Sequence, residues 1–390
     1  MIIVGIDTSC DETSIGVVRD GQIVANIISS QVALHKAWGG VVPSLAKVAH
    51  LKRLPVAWRQ ALLKAKIEAS AINLIAVTQG PGLAMALETG LEFAQELGKT
   101  LNKPVIGINH LHGHLMTACL TAELSLKTPA LPALVALVSG GHTELLAVTA
   151  NSERPQQWQV TKLGQTLDDA CGEAFDKAAI MLELGYPGGA LVARLADQGQ
   201  ANRYSLPIPM LKNPTLDLSY SGLKTALLYL IKKLEAETGP LTADQVRDLA
   251  AAFQDRALTV LINKLELALK TQPDYYRSSW LVGGVAANRQ LRSRFRQLAK
   301  RFGLSAHYPP NRRLTGDNGA MIALAAWQLT QLTDGESVKP PTVVELDRLP
   351  NLSSQVISIP ALAAAARQNL AQKPADRSDA AAHSPTDRNR

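Results

Sequence analysis

The sequence predicts an α/β protein built from two similar lobes that face each other across a cleft. Each half of the chain opens with a strand, a polar turn and a second strand, and later continues with strands that alternate with helices. The later spacing repeats as well, since Ile75 and His110 lie 35 positions apart and Leu281 and Asp317 lie 36 apart. A hairpin followed by alternating strands and helices, given twice, is typical of two facing α/β domains.

The elements of each half follow from runs of apolar residues that polar or glycine-rich turns interrupt. In the first half we predict, in order, strands over 2–6, 15–18 and 74–78, a turn at 80–82, a helix to 101, a strand over 105–108 and a helix beginning at His110. In the second half the corresponding elements are strands over 134–138, 144–148 and 280–282, a turn at 283–284, a helix over 288–302, a strand over 304–308 and a helix from Asp317.

Length and composition agree with two domains in a reducing compartment. The chain has 390 residues, of which 46% are hydrophobic, enough for lobes over 1–131 and 132–345 with a helical insertion at about 163–275. The tail 346–390 becomes rich in alanine and then in polar residues and proline, which predicts disorder. Three cysteines form no C-x-x-C pair, and no uncharged run is long enough to span a membrane. We therefore expect a cytoplasmic protein without membrane contact.

The net charge of +7 is concentrated in one segment. Residues 275–316 contain nine lysines and arginines and no acidic residue. Such a segment can attract a polyanion to an adjacent site. The alternative is a solvated helix face, because Leu291, Phe295 and Leu298 form an apolar stripe whose neighbouring arginines would then face water.

His110 and His114 are the strongest candidates for a metal site. Four positions apart on a helix, the two imidazoles lie on one face and can reach a single cation. A metalloprotease would need glutamate after the first histidine, and Leu111 holds that position, so the hydrolytic interpretation loses its general base. Asp317 supplies a third ligand if the corresponding helix starts of the two lobes meet in the cleft. The alternative for Asp317 is an ordinary helix cap.

Several turns that follow strands are suited to bringing backbone N–H groups close to a phosphate. They lie at 7–14, 80–82, 139–141 and 283–284 and together indicate a nucleotide site where the lobes join. Asp176 is a candidate acceptor for ribose hydroxyls, with Gly189 at close approach to the ring. Asn288 can hydrogen-bond a purine or sugar edge, or it can serve as a helix N-cap.

Ten motifs follow one another between residues 1 and 345. They lie at 5–14, 39–43, 80–82, 110–114, 137–143, 172–177, 186–189, 219–225, 283–289 and 315–321. In this order they resemble the motifs of the TsaD family, tRNA adenosine threonylcarbamoyltransferases once described as glycoproteases. Leu137 and His142, in the fifth motif, point to the bacterial branch. The resemblance implies the actin/sugar-kinase/heat-shock ATPase (RNase H-like) fold, which agrees with the repeat.

The resemblance also implies the site. It implies one iron ion, with zinc as the alternative, on His110, His114 and Asp317. It implies a threonylcarbamoyl-AMP donor bound by residues of the second lobe: Leu137, Val138, Ser139, Gly140, Gly141, Asp176, Gly189 and Asn288. We assign the catalytic candidates Asp11 and Glu12 to positioning groups near the acceptor amine, and the sequence does not separate the two.

The implied reaction passes the threonylcarbamoyl group to the exocyclic N6 amine of the adenosine beside the anticodon, in tRNAs that read codons starting with A. The partners implied besides tRNA are a catalytically inactive paralogue and a small ATPase. A kinase-like phosphotransferase on the same fold is the main alternative, but it gives no role to two histidines and an aspartate at matching positions. A non-catalytic ATP-binding scaffold is the other, and it would have no need of a complete ligand set.

Overall fold

The computed structural model describes residues 1–152, 158–331 and 348–354. Two five-stranded sheets form the centre of the molecule. The strands of the first are β1 (Ile2–Asp7), β2 (Glu12–Arg19), β3 (Gln22–Ser30), β4 (Leu74–Gly80) and β5 (Val105–Asn109). The strands of the second are β6 (Ala133–Val138), β7 (Thr143–Ala150), β8 (Trp158–Gln165), β9 (Ser278–Val282) and β10 (Ser305–His307).

The two sheets have the same topology. Their strand orders are β3-β2-β1-β4-β5 and β8-β7-β6-β9-β10. In each sheet the first three strands form an antiparallel meander, and the last two add in parallel to the first strand's other edge. This duplication confirms the predicted α/β fold of two similar lobes.

The third strand of each meander, β3 and β8, was not predicted. The helical insertion expected from residue 163 therefore begins only after Gln165, where β8 ends. A signal for β3 was present in the sequence, since Asp20-Gly21 separates it from β2 and both residues have positive φ. Aspartate–glycine between two strands is a strong indication of a tight hairpin.

Ten helices lie in the described part of the chain, in three layers around the sheets. They are α1 (Val32–His35), α2 (Pro43–Ala65), α3 (Ala84–Leu101), α4 (His110–Thr117), α5 (Cys171–Met181), α6 (Gly189–Ala196), α7 (Ser221–Thr238), α8 (Ala243–Thr271), α9 (Arg289–Arg301) and α10 (Gly319–Thr330). One apolar cluster joins α2 and α3 to the outer face of the first sheet, and another joins α5 to α9 to the outer face of the second. The third cluster fills the space between the sheets with α4 and α10. The order of layers is helix, sheet, helix, sheet, helix.

Part of the tail predicted to be disordered is packed against the first lobe. Within 348–354, Leu349 and Leu352 are buried, and the Leu349 N–H donates to the Gln79 carbonyl at 2.8 Å. The Asn109 side chain donates to the Ser353 carbonyl at 2.7 Å. The expectation of disorder is therefore wrong for these seven residues, and the rest of the tail lies outside the described residues. Among the described helices, none is long and apolar enough to cross a membrane.

Candidate metal centre

The three predicted metal ligands come together in the middle layer. His110 and His114 stand one turn apart on α4, with their ring centroids 4.7 Å apart. Asp317 precedes α10, and its Oδ1 lies 3.3 Å from His110 Nε2 and 3.2 Å from His114 Nε2. One possible ligand atom from each residue falls within 4.8 Å of the other two. A single cation can therefore reach one atom of all three.

Asp317 is not the cap of its helix. The N-cap of α10 is Asn318, whose side chain accepts a hydrogen bond from the Met321 N–H at 3.1 Å. Asp317 lies one position earlier, whereas His110 is the first residue of α4, after its own cap Asn109. The two helix starts correspond, but His110 follows its N-cap whereas Asp317 precedes its N-cap. Because Asn318 caps the helix, the Asp317 side chain is available to the histidines.

The donor set fits a divalent metal. Two imidazole nitrogens and one carboxylate oxygen are the ligands of many zinc sites and of the two-histidine, one-carboxylate iron sites. Among the described residues, the buried Nδ1 of His114 has no hydrogen-bond partner, and its Nε2 has only the Asp317 carboxylate, 3.2 Å away. A buried imidazole without partners is costly unless a cation or a donor satisfies it.

The charges around His110 call for a positive group at this position. Burial alone lowers the pKa of His110, but the carboxylates of Asp317 and Asp7 outweigh it and raise that pKa to about 10. Burial likewise raises the pKa of Asp317, while the nearby histidines bring it well below its ordinary value. The site favours positive charge, which a proton or a metal ion can supply.

Asp7 is a residue of the site that the sequence analysis did not single out. It ends β1, is fully buried, and its Oδ1 accepts from Thr78 Oγ1 at 2.7 Å. The same oxygen lies 3.5 Å from His110 Nδ1, the nitrogen turned away from Asp317. A carboxylate behind a histidine ligand fixes the tautomer and orientation of its ring. Its signal in the sequence was a carboxylate directly after the apolar strand 2–6.

The catalytic candidates lie close to this centre in the acidic turn, by which we mean residues 8–12. Asp11 is buried, and Glu12 is partly buried. Burial, followed by the charges of Asp11 and Asp317, raises the pKa of Glu12 to about 10. Burial and the neighbouring negative charges thus favour the protonated form of Glu12, which can donate a hydrogen bond.

The predicted donor loop offers its backbone rather than its side chains. Leu137 and Val138 are fully buried in β6 and point into the apolar clusters on its two faces. Ser139 closes the turn, because its N–H donates to the His142 carbonyl at 2.7 Å. Gly140 and Gly141 are exposed, with nothing within 4 Å of the place where a side chain would begin. Backbone N–H groups in such a loop are suited to a phosphate.

Asp176 and Asn288 hold the starts of two helices. Asp176 Oδ1 accepts from the N–H groups of Gly188 and Gly189 at 2.7 and 3.1 Å, at the start of α6. Asn288 is the N-cap of α9, as its alternative interpretation predicted, and its amide also donates to Gln254 at 2.7 Å. Both predicted donor contacts thus lie beside helix N-termini, where the helix dipole favours an anion.

Electrostatic interactions connect the donor loop and α5 of the second lobe with the predicted metal ligands and the acidic turn. Burial, followed by the charge on His110, lowers the pKa of His142 in the donor loop to about 4. Burial, together with the charge of Asp11, raises the pKa of Asp176 against the two hydrogen bonds it accepts. The donor loop therefore faces the metal ligands, and α5 faces the acidic turn.

In the basic segment 275–316, two arginines make contacts within the fold and the other basic side chains are exposed. Arg294 pairs with Asp255 at 2.6 Å, and Arg292 is half-buried, with its guanidinium 4.7 Å from the Tyr308 ring centre. The exposed members are Arg277, Arg289, Arg296, Lys300, Arg301, Arg312 and Arg313. Arg301 pairs with a glutamate of α8. The alternative of a solvated helix face therefore applies to only part of the segment.

Known proteins match the chain over most of its length. The TsaD family model, described as tRNA N6-adenosine threonylcarbamoyltransferase, matches residues 22–324. A protein of that name from Thermosipho africanus is 42% identical over 329 residues, which is 84% of this chain and 94% of that protein. Another from Aromatoleum aromaticum is 46% identical over 326 residues, covering 83% of this chain and 90% of that protein.

A solved structure shares the fold at low sequence identity. Full-length HypF in its phosphate- and nucleotide-bound form aligns with a TM-score of 0.50 and 12% identity, over 85% of this chain and 56% of that chain. This similarity concerns the fold alone. The family model and the relatives decide the identity: the chain belongs to the TsaD family of tRNA N6-adenosine threonylcarbamoyltransferases.

Proposed function

We propose that the chain transfers the threonylcarbamoyl group of threonylcarbamoyl-AMP to the N6 amine of the adenosine beside the anticodon, in tRNAs that read codons starting with A. We further propose that one divalent ion, iron(II) or alternatively zinc, binds His110, His114 and Asp317. The observation that carries the proposal is the meeting of these three side chains from two lobes, with Asp317 freed from capping by Asn318. A kinase-like phosphotransferase would have no use for this arrangement.

The reaction requires one bond to form, one to break and one proton to leave. The N6 nitrogen forms a bond to the carbamoyl carbon, the bond from that carbon to the phosphate oxygen breaks, and AMP leaves with the electron pair. The metal, when bound, supplies a Lewis acid for the carbamoyl oxygen. Backbone N–H groups of Gly140 and Gly141 are suited to the charge of the leaving phosphate.

The acidic turn is assigned to the acceptor. Because the surroundings of Glu12 favour its protonated form, we give the N6 proton to Asp11 and a hydrogen-bond donor role to Glu12. The raised pKa of Glu12 supports this division, which the sequence alone left open. It predicts that Asp11→Asn removes the base and costs more activity than Glu12→Gln, which keeps a donor.

We propose that tRNA is held by exposed arginines next to the metal ligands. Arg312 and Arg313 are exposed and precede Asp317 by only a few residues. Reversing both charges to glutamate should weaken tRNA binding and lower its salt dependence, since each lost phosphate contact reduces the slope by about 0.7–0.9. Reversal of Lys232 and Lys233 on α7 is the matched control. If both double variants bind alike, these arginines do not contact tRNA.

The partner proposals are an inactive paralogue and a small ATPase, in a cytoplasmic complex. Large exposed apolar side chains concentrate on one part of the first lobe, around α1 and α2. They are Leu34, Trp38, Val48, Leu51, Val56 and Leu63. Several exposed apolar side chains on neighbouring helices can mark a protein interface, and we assign this surface of α1 and α2 to the paralogue. Free cysteines at positions 10, 119 and 171 agree with a reducing compartment.

The deciding experiment is a transfer assay with purified tRNA, the adenylate donor and the partner proteins. His114→Ala removes a proposed ligand and should abolish modification of tRNA. His112→Gln is the matched control, because His112 lies on the same helix but packs against Trp158, with ring centres 6.0 Å apart. Wild-type rates in His114→Ala would end the metal-centred proposal. Phosphorylation of a small metabolite instead of tRNA modification would favour the phosphotransferase.

A further inference from the structure

A hydrogen-bonded network of buried polar side chains runs from the 39–43 motif to the acidic turn, and the proposed reaction makes no use of it. Its members Gln31, His35 and His50 are each 0% exposed. Gln31 and His35 belong to the segment around α1, and His50 lies on α2. Buried polar groups are costly unless each one makes its hydrogen bonds, so a network like this fixes the segments that it joins.

The hydrogen bonds of this network have one consistent donor-to-acceptor direction. His35 Nδ1 accepts from the Val42 N–H at 3.3 Å, so His35 Nε2 carries the proton and donates to Gln31 Oε1 at 3.2 Å. The Gln31 amide is thereby oriented, and its Nε2 donates to His50 Nδ1 at 3.2 Å. His50 Nε2 then donates to the Cys10 carbonyl at 3.0 Å. Every donor meets an acceptor when both imidazoles are neutral.

A side chain of this network holds one carbonyl group of the acidic turn, and the backbone of Gln31 holds the next. Besides the bond from His50 to the Cys10 carbonyl, the Gln31 N–H donates to the Asp11 carbonyl at 2.9 Å. Thr13 Oγ1, just beyond the turn, lies 2.8 Å from His50 Nδ1. The backbone on both sides of the Asp11 side chain is therefore tied to Gln31 and His50.

We infer that His50 and Gln31 are positioning residues for Asp11 and Glu12, with His35 orienting Gln31 from the far end. The inference rests on the proposed function, because that function gives the acidic turn its role at the acceptor amine. Loss of the His50 side chain leaves the Cys10 carbonyl without its donor, so the turn must shift to find another. The Gln31 side chain acts through the His50 ring, because its own bond to the Asp11 carbonyl comes from the backbone N–H and survives substitution. A shift of about 1 Å in a catalytic group can cost about 100-fold in rate.

The test compares His50→Leu and His50→Gln in the complete transfer assay, with kcat, the KM for tRNA and bound metal measured for each. We expect kcat to fall by about 10- to 100-fold in His50→Leu, with KM and metal content unchanged. His50→Gln should recover most of the rate, because its amide can again donate to the Cys10 carbonyl. His35→Phe should also lower kcat, although His35 does not touch the turn.

Leu54→Ala is the control for simple destabilisation. Leu54 is 1% exposed and lies one turn beyond His50 on α2, in the apolar cluster behind the first sheet. It should lower the melting temperature while leaving kcat of the folded protein unchanged. If Leu54→Ala loses as much kcat as His50→Leu at a matched melting temperature, the positioning inference is wrong.

Asp11→Ala separates this inference from the proposed function. If Asp11→Ala keeps a measurable residual rate and adding His50→Leu lowers that rate no further, the two residues act through the same group, as inferred. If Asp11→Ala is inactive while His50→Leu keeps the wild-type kcat, only the positioning inference fails. If Asp11→Ala is fully active, the role proposed for the acidic turn fails, and the inference fails with it.

Discussion

Asp7→Asn should weaken metal binding while leaving the fold intact. The substitution keeps the shape of the side chain and an oxygen that accepts from Thr78 Oγ1, which now lies at 2.7 Å. It removes the negative charge that lies 3.5 Å behind His110 Nδ1. The side-chain oxygen of Asn takes the same place near the ring, so the loss is one of charge rather than of contact.

The size of the effect follows from that distance. Two unit charges 3.5 Å apart interact by roughly 5 kcal/mol at an effective dielectric constant of about 20, which is a ceiling. The imidazole carries only a fraction of the charge of a bound ion, so the loss is smaller. Substitutions behind a ligand commonly cost about 10–100-fold in metal affinity, or about 1.4–2.8 kcal/mol.

The assay is competition for Zn²⁺ against a chromophoric chelator at fixed pH. Asp20→Asn is the control, because Asp20 is an exposed aspartate whose partner is the N-terminus of the chain. We expect wild-type affinity in Asp20→Asn and the stated loss in Asp7→Asn. Equal affinity in all three proteins, with Asp7→Asn folded by circular dichroism, would refute the role assigned to Asp7.

Four further predictions concern protons, packing and the tail. The pKa values of His110 and Glu12 lie near 10 in the folded protein, above their ordinary values of 6.5 and 4.5. In metal-stripped protein, His110 contributes its full stabilisation below about pH 6.5, and this contribution should fall as the pH rises towards 10. The raised pKa of Glu12 changes stability in the same direction. Thermal melts at a series of pH values measure the loss. Zn²⁺ binding should release a proton at neutral pH, measurable by calorimetry in buffers of different ionisation enthalpy. Gly319→Ala should destabilise by several kcal/mol in urea titrations, because its Cβ would lie 2.5 Å from backbone atoms of Gly5 and Gly16. Leu349→Ala should cost about 2–5 kcal/mol, and unchanged urea midpoints would contradict either prediction.

The sequence predicts the fold well because the duplication is visible in the order of its elements. Each inner strand reads as an apolar run, and the spacing of the later strands repeats, so topology follows from pattern. The two missed strands lie at outer positions of the sheets. β3 is only half-buried along much of its length and alternates weakly, so apolar runs alone do not reveal it. The Asp20-Gly21 turn was the better signal.

The meeting of His110, His114 and Asp317 was predictable, but the surroundings of these side chains were not. A pair of histidines four apart and an aspartate at the corresponding helix start are patterns within the sequence. Gln31 and His50 reach the acidic turn only through tertiary contacts, at separations that no local pattern encodes. Asp7 had a local signal as a carboxylate after an apolar strand, but its place behind His110 is also a tertiary contact. The Leu349 contact is of the same kind, because the sequence around it reads as a polar tail while the fold provides it with a buried position.

The duplicated fold explains why a ligand set can form between the lobes at all. α4 and α10 are corresponding helices, yet both lie in the single layer between the two sheets. That layer closes tightly only where side chains are missing: a Cβ on Gly319 would meet the backbone of the first sheet, and one on Gly113 would lie 2.9 Å from Met321. Gly113 stands between the two histidines, and Gly319 follows Asp317 by two residues. Gly319 lets α10 approach the first sheet and Gly113 lets α4 approach α10, so the packing of these helices sets the distance between the imidazoles and the carboxylate.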